Sequence, residues 1–67
     1  MKLNDLIDII WTQRITVHDE ATDETKEFDN NGFGNGNTIK RVCHTYGNRS
    51  VTMIWPQEAA KCYISIA

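Results

Sequence analysis

The sequence predicts a small α+β domain, because a stripe of apolar residues at helical spacing opens the chain and alternating strand patterns dominate the rest. Its 67 residues leave room for one small core, so we expect a single domain over residues 1–67. A composition of 40% hydrophobic and 24% charged residues is typical of a globular chain and excludes a disordered one. The predicted architecture is a short N-terminal amphipathic helix packed on a four- to five-stranded antiparallel sheet, built as a meander of hairpins.

The opening helix is predicted from the spacing of its apolar residues. Asn4 is a natural N-cap, and Asp5 and Asp8 lie where the positive end of a helix favours carboxylates. A helix of roughly eight residues is not stable alone in water, so its apolar side must pack on the sheet. That side consists of Leu3, Leu6, Ile7, Ile10 and Trp11.

A first hairpin and a long loop are predicted to follow. Ile15 and Val17 alternate with polar residues as in a half-buried strand, and Thr25 to Phe28 form a weak returning strand. The charges of the returning strand suit a sheet edge, where they discourage pairing with other chains. Residues 29–37 are almost wholly turn-formers and predict a flexible Asn/Gly loop. Within it Phe33 is interpreted either as a core residue or as an anchor for a partner.

A second hairpin and a closing strand are predicted from the remaining sequence. Residues 38–46 and 49–55 are rich in β-branched and aromatic residues, and the Gly-Asn pair at 47–48 between them is typical of a tight turn. Pro56 ends the second of these strands. Residues 62–66 then alternate cleanly as a last strand.

These elements define an expected core and an expected open sheet face. A half-apolar open face on a small protein is suited to contact with a partner. The expected core comprises Leu3, Leu6, Ile7, Ile10, Ile15, Val17, Val51, Met53, Ile64 and Ile66. The expected open face comprises His44, Tyr46, Thr52, Ile54 and Tyr63.

The sequence offers no pattern typical of catalysis, metal binding or a cofactor. Cys43 and His44 are adjacent and no Cys-x2-Cys or His-x3-His pair exists, which argues against zinc. The glycine-rich stretch 32–36 lacks the Lys-Ser/Thr that follows a phosphate-binding loop. Cys43 and Cys62 are interpreted as buried free thiols, and the absence of a signal-like or membrane-spanning apolar run favours the cytoplasm. We therefore expect no enzyme, no metal and no cofactor.

The net charge of −2 is unevenly distributed. Residues 1–36 hold eight acidic and three basic residues, whereas residues 37–67 hold one acidic and four basic residues, which gives net charges of −5 and +3. Such asymmetry favours electrostatic docking on another protein or head-to-tail self-association. The residues predicted to bind a partner are Asp19, Glu20, Asp23, Glu24, Glu27, Asp29 and Phe33. An alternative basic sheet face for nucleic acid, a less favoured partner in an acidic chain, comprises Lys40, Arg41, Tyr46 and Arg49.

The N-terminal segment Asn4-Asp5-Leu6-Ile7, placed before Ile15-Thr16-Val17 and the closing strand at 62–66, resembles small proteins of Gram-positive prophages and mobile elements. Some anti-CRISPR inhibitors in this group begin with a similar helix that leads into a sheet. The resemblance implies a phage-encoded protein that acts in the bacterial cytoplasm, as an inhibitor of a defence nuclease that shows acidic side chains where nucleic acid would bind. A small homo-oligomeric structural or ligand-sequestering phage protein is the alternative.

Overall fold

Two β-hairpins joined by a helix make up the fold of this protein. The computed structural model describes residues 1–29, 36–57 and 60–67. A short 3-10 turn, Leu3–Leu6, precedes the first hairpin. The other elements are β1 (Arg14–Asp19), β2 (Glu24–Asp29), α1 (Gly36–Tyr46), β3 (Val51–Pro56) and β4 (Lys61–Ile66).

The four strands form one mixed sheet in the order β2-β1-β4-β3. Each hairpin is antiparallel, but β1 and β4 run parallel at the centre of the sheet. Parallel neighbours require a crossover connection, and α1 lies within it. The predicted α+β class is confirmed and so is the edge position of β2, whereas the prediction of an all-antiparallel meander is wrong.

The largest difference from the sequence analysis is residues 38–46, which form most of α1 instead of a strand. Ile39, Val42 and Cys43 are buried and Tyr46 packs against the core, a spacing of i, i+3, i+4 and i+7 that places all four on one side of a helix. The β-branched residues of this segment favour a strand locally. Packing of the apolar stripe against the sheet outweighs that preference, as tertiary context often does.

The predicted N-terminal helix is only a 3-10 turn. Backbone N–H groups that an isolated helix would leave free are bonded to the segment after α1: Leu3 N–H donates to the Arg49 carbonyl and Asn4 N–H to the Gly47 carbonyl, each at 3.0 Å. Leu3 and Leu6 reach the core as predicted. The helical stripe does not continue, because Trp11, expected on the same side, is 64% exposed.

The core lies between α1 and one face of the sheet. Leu3, Leu6, Ile15, Val17, Ile64 and Ile66 were predicted to be buried and are, while Ile7, Ile10 and Val51 pack at its margin. Each fully buried aliphatic side chain contributes about 1.5–3 kcal/mol. The buried residues also include Phe28, Ile39 and Val42, which the expected core lacked, and the thiols Cys43 and Cys62, whose burial was predicted.

A bulge in β3 changes which side chains that strand buries. Val51 pairs with Ile66 and Met53 with Ser65, so the register slips by one residue between them. A bulge inserts an extra residue and reverses the face on which later side chains lie. Val51 therefore lies on the α1 side of the sheet, and the prediction that Met53 belongs to the core is wrong, since Met53 is 43% exposed on the opposite face.

The predicted open face and central loop also need correction. Tyr63 lies on the open face as expected, but His44 and Tyr46 belong to α1, and Ile54 pairs with Ile64 on the α1 side. The bounds of the predicted loop 29–37 are wrong at both ends. Asp29 completes β2, α1 begins at Gly36, and Phe33 lies outside the described residues.

Candidate protein-interaction surfaces

One surface is the acidic hairpin, which we define by the carboxylates of Glu20, Asp23, Glu24 and Glu27 on the β1–β2 unit. All four residues are exposed. The one cation among residues 20–28 is Lys26, whose ammonium lies 5.6 Å from the ring centroid of Phe28. The hairpin therefore carries a net negative charge at one edge of the sheet, where four of the predicted partner-binding residues lie together.

The turn of the acidic hairpin is held by a histidine. His18 Nδ1 lies 3.2 Å from the Thr25 hydroxyl, and its Nε2 lies 3.4 Å from a carboxylate oxygen of Asp23. Asp23 has a φ of 58°, the left-handed conformation that aspartate tolerates in tight turns. The imidazole thus joins the end of β1 to Thr25 on β2 and contacts the Asp23 carboxylate, which is itself exposed.

Asp19, another predicted partner-binding residue, is buried instead. It is 8% exposed and receives two hydrogen bonds from the Arg49 guanidinium, at 2.6 and 3.1 Å. It also accepts the Ala21 N–H at 3.0 Å, and these donors lower the pKa of its carboxyl below the usual value, with Arg49 the largest cause. Arg49 further donates to the Ala67 carbonyl at 2.9 Å. The pair ties β1 to the segments at both ends of the second hairpin and is not open to a partner.

Asp29 lies at the far end of β2 from the turn and is held by basic neighbours. Its carboxylate is 3.6 Å from Arg14 Nε, and its backbone carbonyl accepts a hydrogen bond from Arg41. Asp29 is half-buried. It is therefore separate from the acidic hairpin, although the sequence placed it in the same acidic stretch.

The second surface is the open face, the side of the sheet opposite α1. Strand register places Tyr63 directly beside Trp55 on β3 and beside Thr16 on β1. His18 stacks on Tyr63 with ring centroids 6.5 Å apart and planes 16° apart. Trp55 is 60% exposed and Met53 lies next to it on the same face. The result is an apolar and aromatic band that crosses three strands.

The two ends of the open face carry opposite charges. At one end Arg14 and Lys61 are register partners on β1 and β4, and Asp29 lies beside Arg14. At the other end Glu20 accepts a hydrogen bond from the Thr52 hydroxyl at 2.6 Å, and Asp23 contacts His18. The apolar band lies between a basic end and an acidic end.

Met53 was predicted to lie in the core and Trp55 was placed in neither the core nor the open face, so both were missed as residues of this surface. One available signal was the complete lack of charge in Val51–Pro56, which is unusual for an edge strand. The bulge that reverses their side has no clear signature in the sequence.

The alternative basic face is not assembled. Lys40 and Arg41 are exposed on α1, while Tyr46 packs edge-on against Phe28 with centroids 6.2 Å apart. Arg49 is bound to Asp19. These four residues therefore do not share a sheet face, and the geometry that would stack nucleic-acid bases beside cations is missing.

Burial limits the reactivity of both thiols. Cys43 and Cys62 are free and buried, and burial raises the pKa of each thiol, so neither is a thiolate at neutral pH. Across residues 1–29, 36–57 and 60–67, no three His, Cys, Asp or Glu side chains lie close enough together to hold a metal ion. Within the same ranges, no helix combines the length and hydropathy required to cross a membrane.

A scan against protein-family models gives no match, and searches of curated proteins and of solved structures give no significant match.

Proposed function

We propose that this chain is a non-enzymatic protein-binding module that directs its acidic hairpin at a basic site on a partner protein. The observation that carries the proposal is the joint exposure of Glu20, Asp23, Glu24 and Glu27 on one hairpin, whose turn is fixed by His18. Carboxylates grouped on one hairpin attract a basic partner at long range and accept hydrogen bonds from its arginines and lysines on contact.

The partner class that suits this surface is a protein whose basic groove normally binds nucleic acid. In that groove the carboxylates occupy positions of phosphates, and the protein acts as a competitive inhibitor. A bacterial defence nuclease is the target that the sequence resemblance implies, although the N-terminal segment forms a 3-10 turn and not the helix of that resemblance. Raised pKa values of both thiols support a binding role over thiol catalysis.

The test is a binding and cleavage assay with purified CRISPR nucleases. We expect the protein to bind one of them, to slow cleavage, and to be displaced by the nuclease's nucleic-acid substrate. Glu24→Lys should weaken binding by roughly tenfold or more, mainly through a slower association rate, and should reduce its salt dependence.

Asp8→Lys is the matched control, since Asp8 is also exposed, lies outside the hairpin and undergoes the same change in charge. Equal loss in both variants would mean that net charge alone matters and would refute a role for the hairpin. Absence of binding and of inhibition across the nucleases would refute the inhibitor proposal.

A further inference from the structure

The open face remains unexplained by the proposed function, which uses the acidic hairpin. Trp55 and Met53 are large apolar residues in water, and Tyr63 and His18 continue the band toward the centre of the sheet. In a two-layer α+β domain the helix covers one face of the sheet and the other face is commonly solvated and polar, so exposed apolar side chains on that second face are unusual. The question is what covers them.

The free edge of β3 is poorly suited to binding a partner by addition of a β-strand, because part of the backbone at that edge is already hydrogen-bonded. Val51 N–H already donates to the Met1 carbonyl at 2.8 Å, and Lys2 pairs with Ser50. Gln57 N–H donates to the Lys61 carbonyl of β4 at 3.1 Å. Because backbone groups alternate in direction along a strand, the backbone of Pro56 points away from β4 toward the open edge, and proline has no N–H to donate there. With the bulge at the start of β3, little continuous edge is left. The apolar residues of β3 must therefore act through their side chains.

Charge decides between the occupants of the face. Nucleic acid lying on the aromatic band would meet the carboxylates of Glu20, Asp23 and Glu27, with Lys61 and the already paired Arg14 as the available cations. A partner that fits must instead carry an acidic end, an apolar centre and a basic end in the opposite order. On β1 and β4 the open face itself, rotated by half a turn, has that pattern, whereas on β2 the carboxylates of Glu27 and Asp29 face the same edge of the second copy.

We propose that a second copy of this chain covers the open face. Each strand then lies over the same strand of the partner and runs antiparallel to it. A two-fold axis between the sheets and perpendicular to the strands places Met53 over the partner's Trp55. It also places Glu20 over the basic end that contains the partner's Arg14 and the partner's Lys61. Sheets packed in this way lie about 10 Å apart, a gap that these long side chains fill.

The area of the open face limits the affinity expected for this dimer. Four strands about 4.8 Å apart and six residues long span roughly 20 by 20 Å. This area is smaller than the about 800 Å² that each partner of a standard interface buries. We therefore expect a weak dimer that dissociates in the micromolar range or above, and that weakens as salt screens the paired ends.

Sedimentation equilibrium between about 1 µM and 1 mM protein tests the proposal across this range. We expect reversible dimerization in about 20 mM salt and weaker dimerization in about 500 mM salt. Trp55→Ser and Met53→Ser should each weaken the dimer at least tenfold. Trp11→Ser is the control, since Trp11 is as exposed as Trp55 but precedes β1, and it should leave the dimer unchanged.

A charge exchange tests the relative orientation of the copies. Glu20→Lys and Lys61→Glu should each weaken the dimer, and the double variant should recover most of the loss. Circular dichroism shows whether each variant is folded. A monomer at all concentrations would overturn the proposal, as would equal effects of Trp11→Ser and Trp55→Ser or no recovery in the double variant.

Tryptophan fluorescence distinguishes a second copy of the chain from nucleic acid on the open face. In Trp11→Phe, Trp55 is the remaining tryptophan, and its emission should shift to shorter wavelength as protein concentration rises. A shift caused by a single-stranded oligonucleotide at concentrations where the protein is monomeric would overturn the proposal in favour of nucleic acid. Nuclease inhibition that depends on Glu24, which lies outside this face, is measured independently, so failure of either proposal leaves the other standing.

Discussion

Gly47 links the end of α1 to the N-terminal turn through a close approach of backbone to side chain. Its N–H donates to the Cys43 carbonyl at 2.8 Å, and its carbonyl accepts the Asn4 N–H. A methyl group built on Gly47 would lie 2.5 Å from the Cys43 carbonyl oxygen and would overlap the Asn4 side-chain amide. The absence of a side chain is therefore a packing requirement at this position.

We expect Gly47→Ala to lower the free energy of unfolding by about 1–3 kcal/mol, the usual cost of overpacking. Urea denaturation of the two proteins measures the difference. In an Asn4→Ala background the loss should be smaller, since one of the two overlaps is gone, while the overlap with the backbone carbonyl remains. A variant as stable as the parent protein would show that this approach is looser than the structure indicates.

The Asp19–Arg49 pair makes stability depend on pH. Arg49 lowers the pKa of Asp19 in the folded state, so the unfolded chain takes up a proton at higher pH than the folded one. The stabilization is therefore fully present above the unfolded value, about pH 4, and is lost as pH falls through the lower folded value. The free energy of unfolding of the parent protein should therefore fall as the pH drops below about 4, and part of that fall is due to Asp19. The Asp19→Asn variant should lack this part. Asp8→Asn is the control and should retain it.

The two buried thiols give a third prediction at this scale. With their pKa raised by burial, Cys43 and Cys62 should react slowly with Ellman's reagent in the folded protein, and both should react at once in denaturant. Counting thiols before and after unfolding measures this. Rapid reaction of the folded protein, or fewer than two thiols after unfolding, would contradict it.

At the scale of elements, α1 shows where local preference and packing disagree. Thr38, Ile39, Val42 and Thr45 favour a strand when considered singly. Helical spacing of the apolar residues from Ile39 to Tyr46 was visible in the same sequence, and the structure follows it. The acidic first hairpin, by contrast, was predictable, because the alternation at Ile15 and Val17, the polar connection and the charges agreed, even though the pattern of the returning strand was weak.

The open face could not have been predicted in the same way. Its composition depends on the bulge after Val51, which moves Met53 and Trp55 away from the core, and on the parallel pairing of β1 with β4. Both depend on contacts between segments that are far apart in the sequence. The sequence therefore showed that an apolar strand existed at 51–56 without showing which side it would cover.

Substitution of a buried α1 residue tests the helical interpretation of this segment. Ile39→Ala should cost about 2–5 kcal/mol of unfolding free energy, because it leaves a cavity against the sheet. Lys40→Ala, one position along and exposed, should change it by at most about 0.5 kcal/mol. In the predicted strand the two positions would lie on opposite faces, and so would Ile39 and Val42.

Val42 therefore separates the two arrangements. In α1, Ile39 and Val42 are both buried, so Val42→Ala should also destabilize the protein, whereas Arg41→Ala should have little effect on the core. In a strand, Ile39 and Arg41 would share one side and Lys40 and Val42 the other. Large costs at both 40 and 42, with little at 39, would contradict the helix.

At the scale of the whole molecule, a chain of this size is stabilized by few buried groups, so any surface it covers by association matters. The proposed dimer adds a second layer to the open sheet face and makes unfolding depend on protein concentration. Above the dissociation constant, each tenfold rise in concentration should raise the free energy of unfolding by about 1.4 kcal/mol per dimer. The midpoint temperature of thermal unfolding should therefore rise with protein concentration. It should rise less at high salt, because salt weakens the dimer. In Trp55→Ser the midpoint should rise less over the same range, because a smaller fraction of the variant is dimeric at each concentration. A parent protein whose midpoint does not vary up to millimolar concentration would show that its stability comes from the monomer alone.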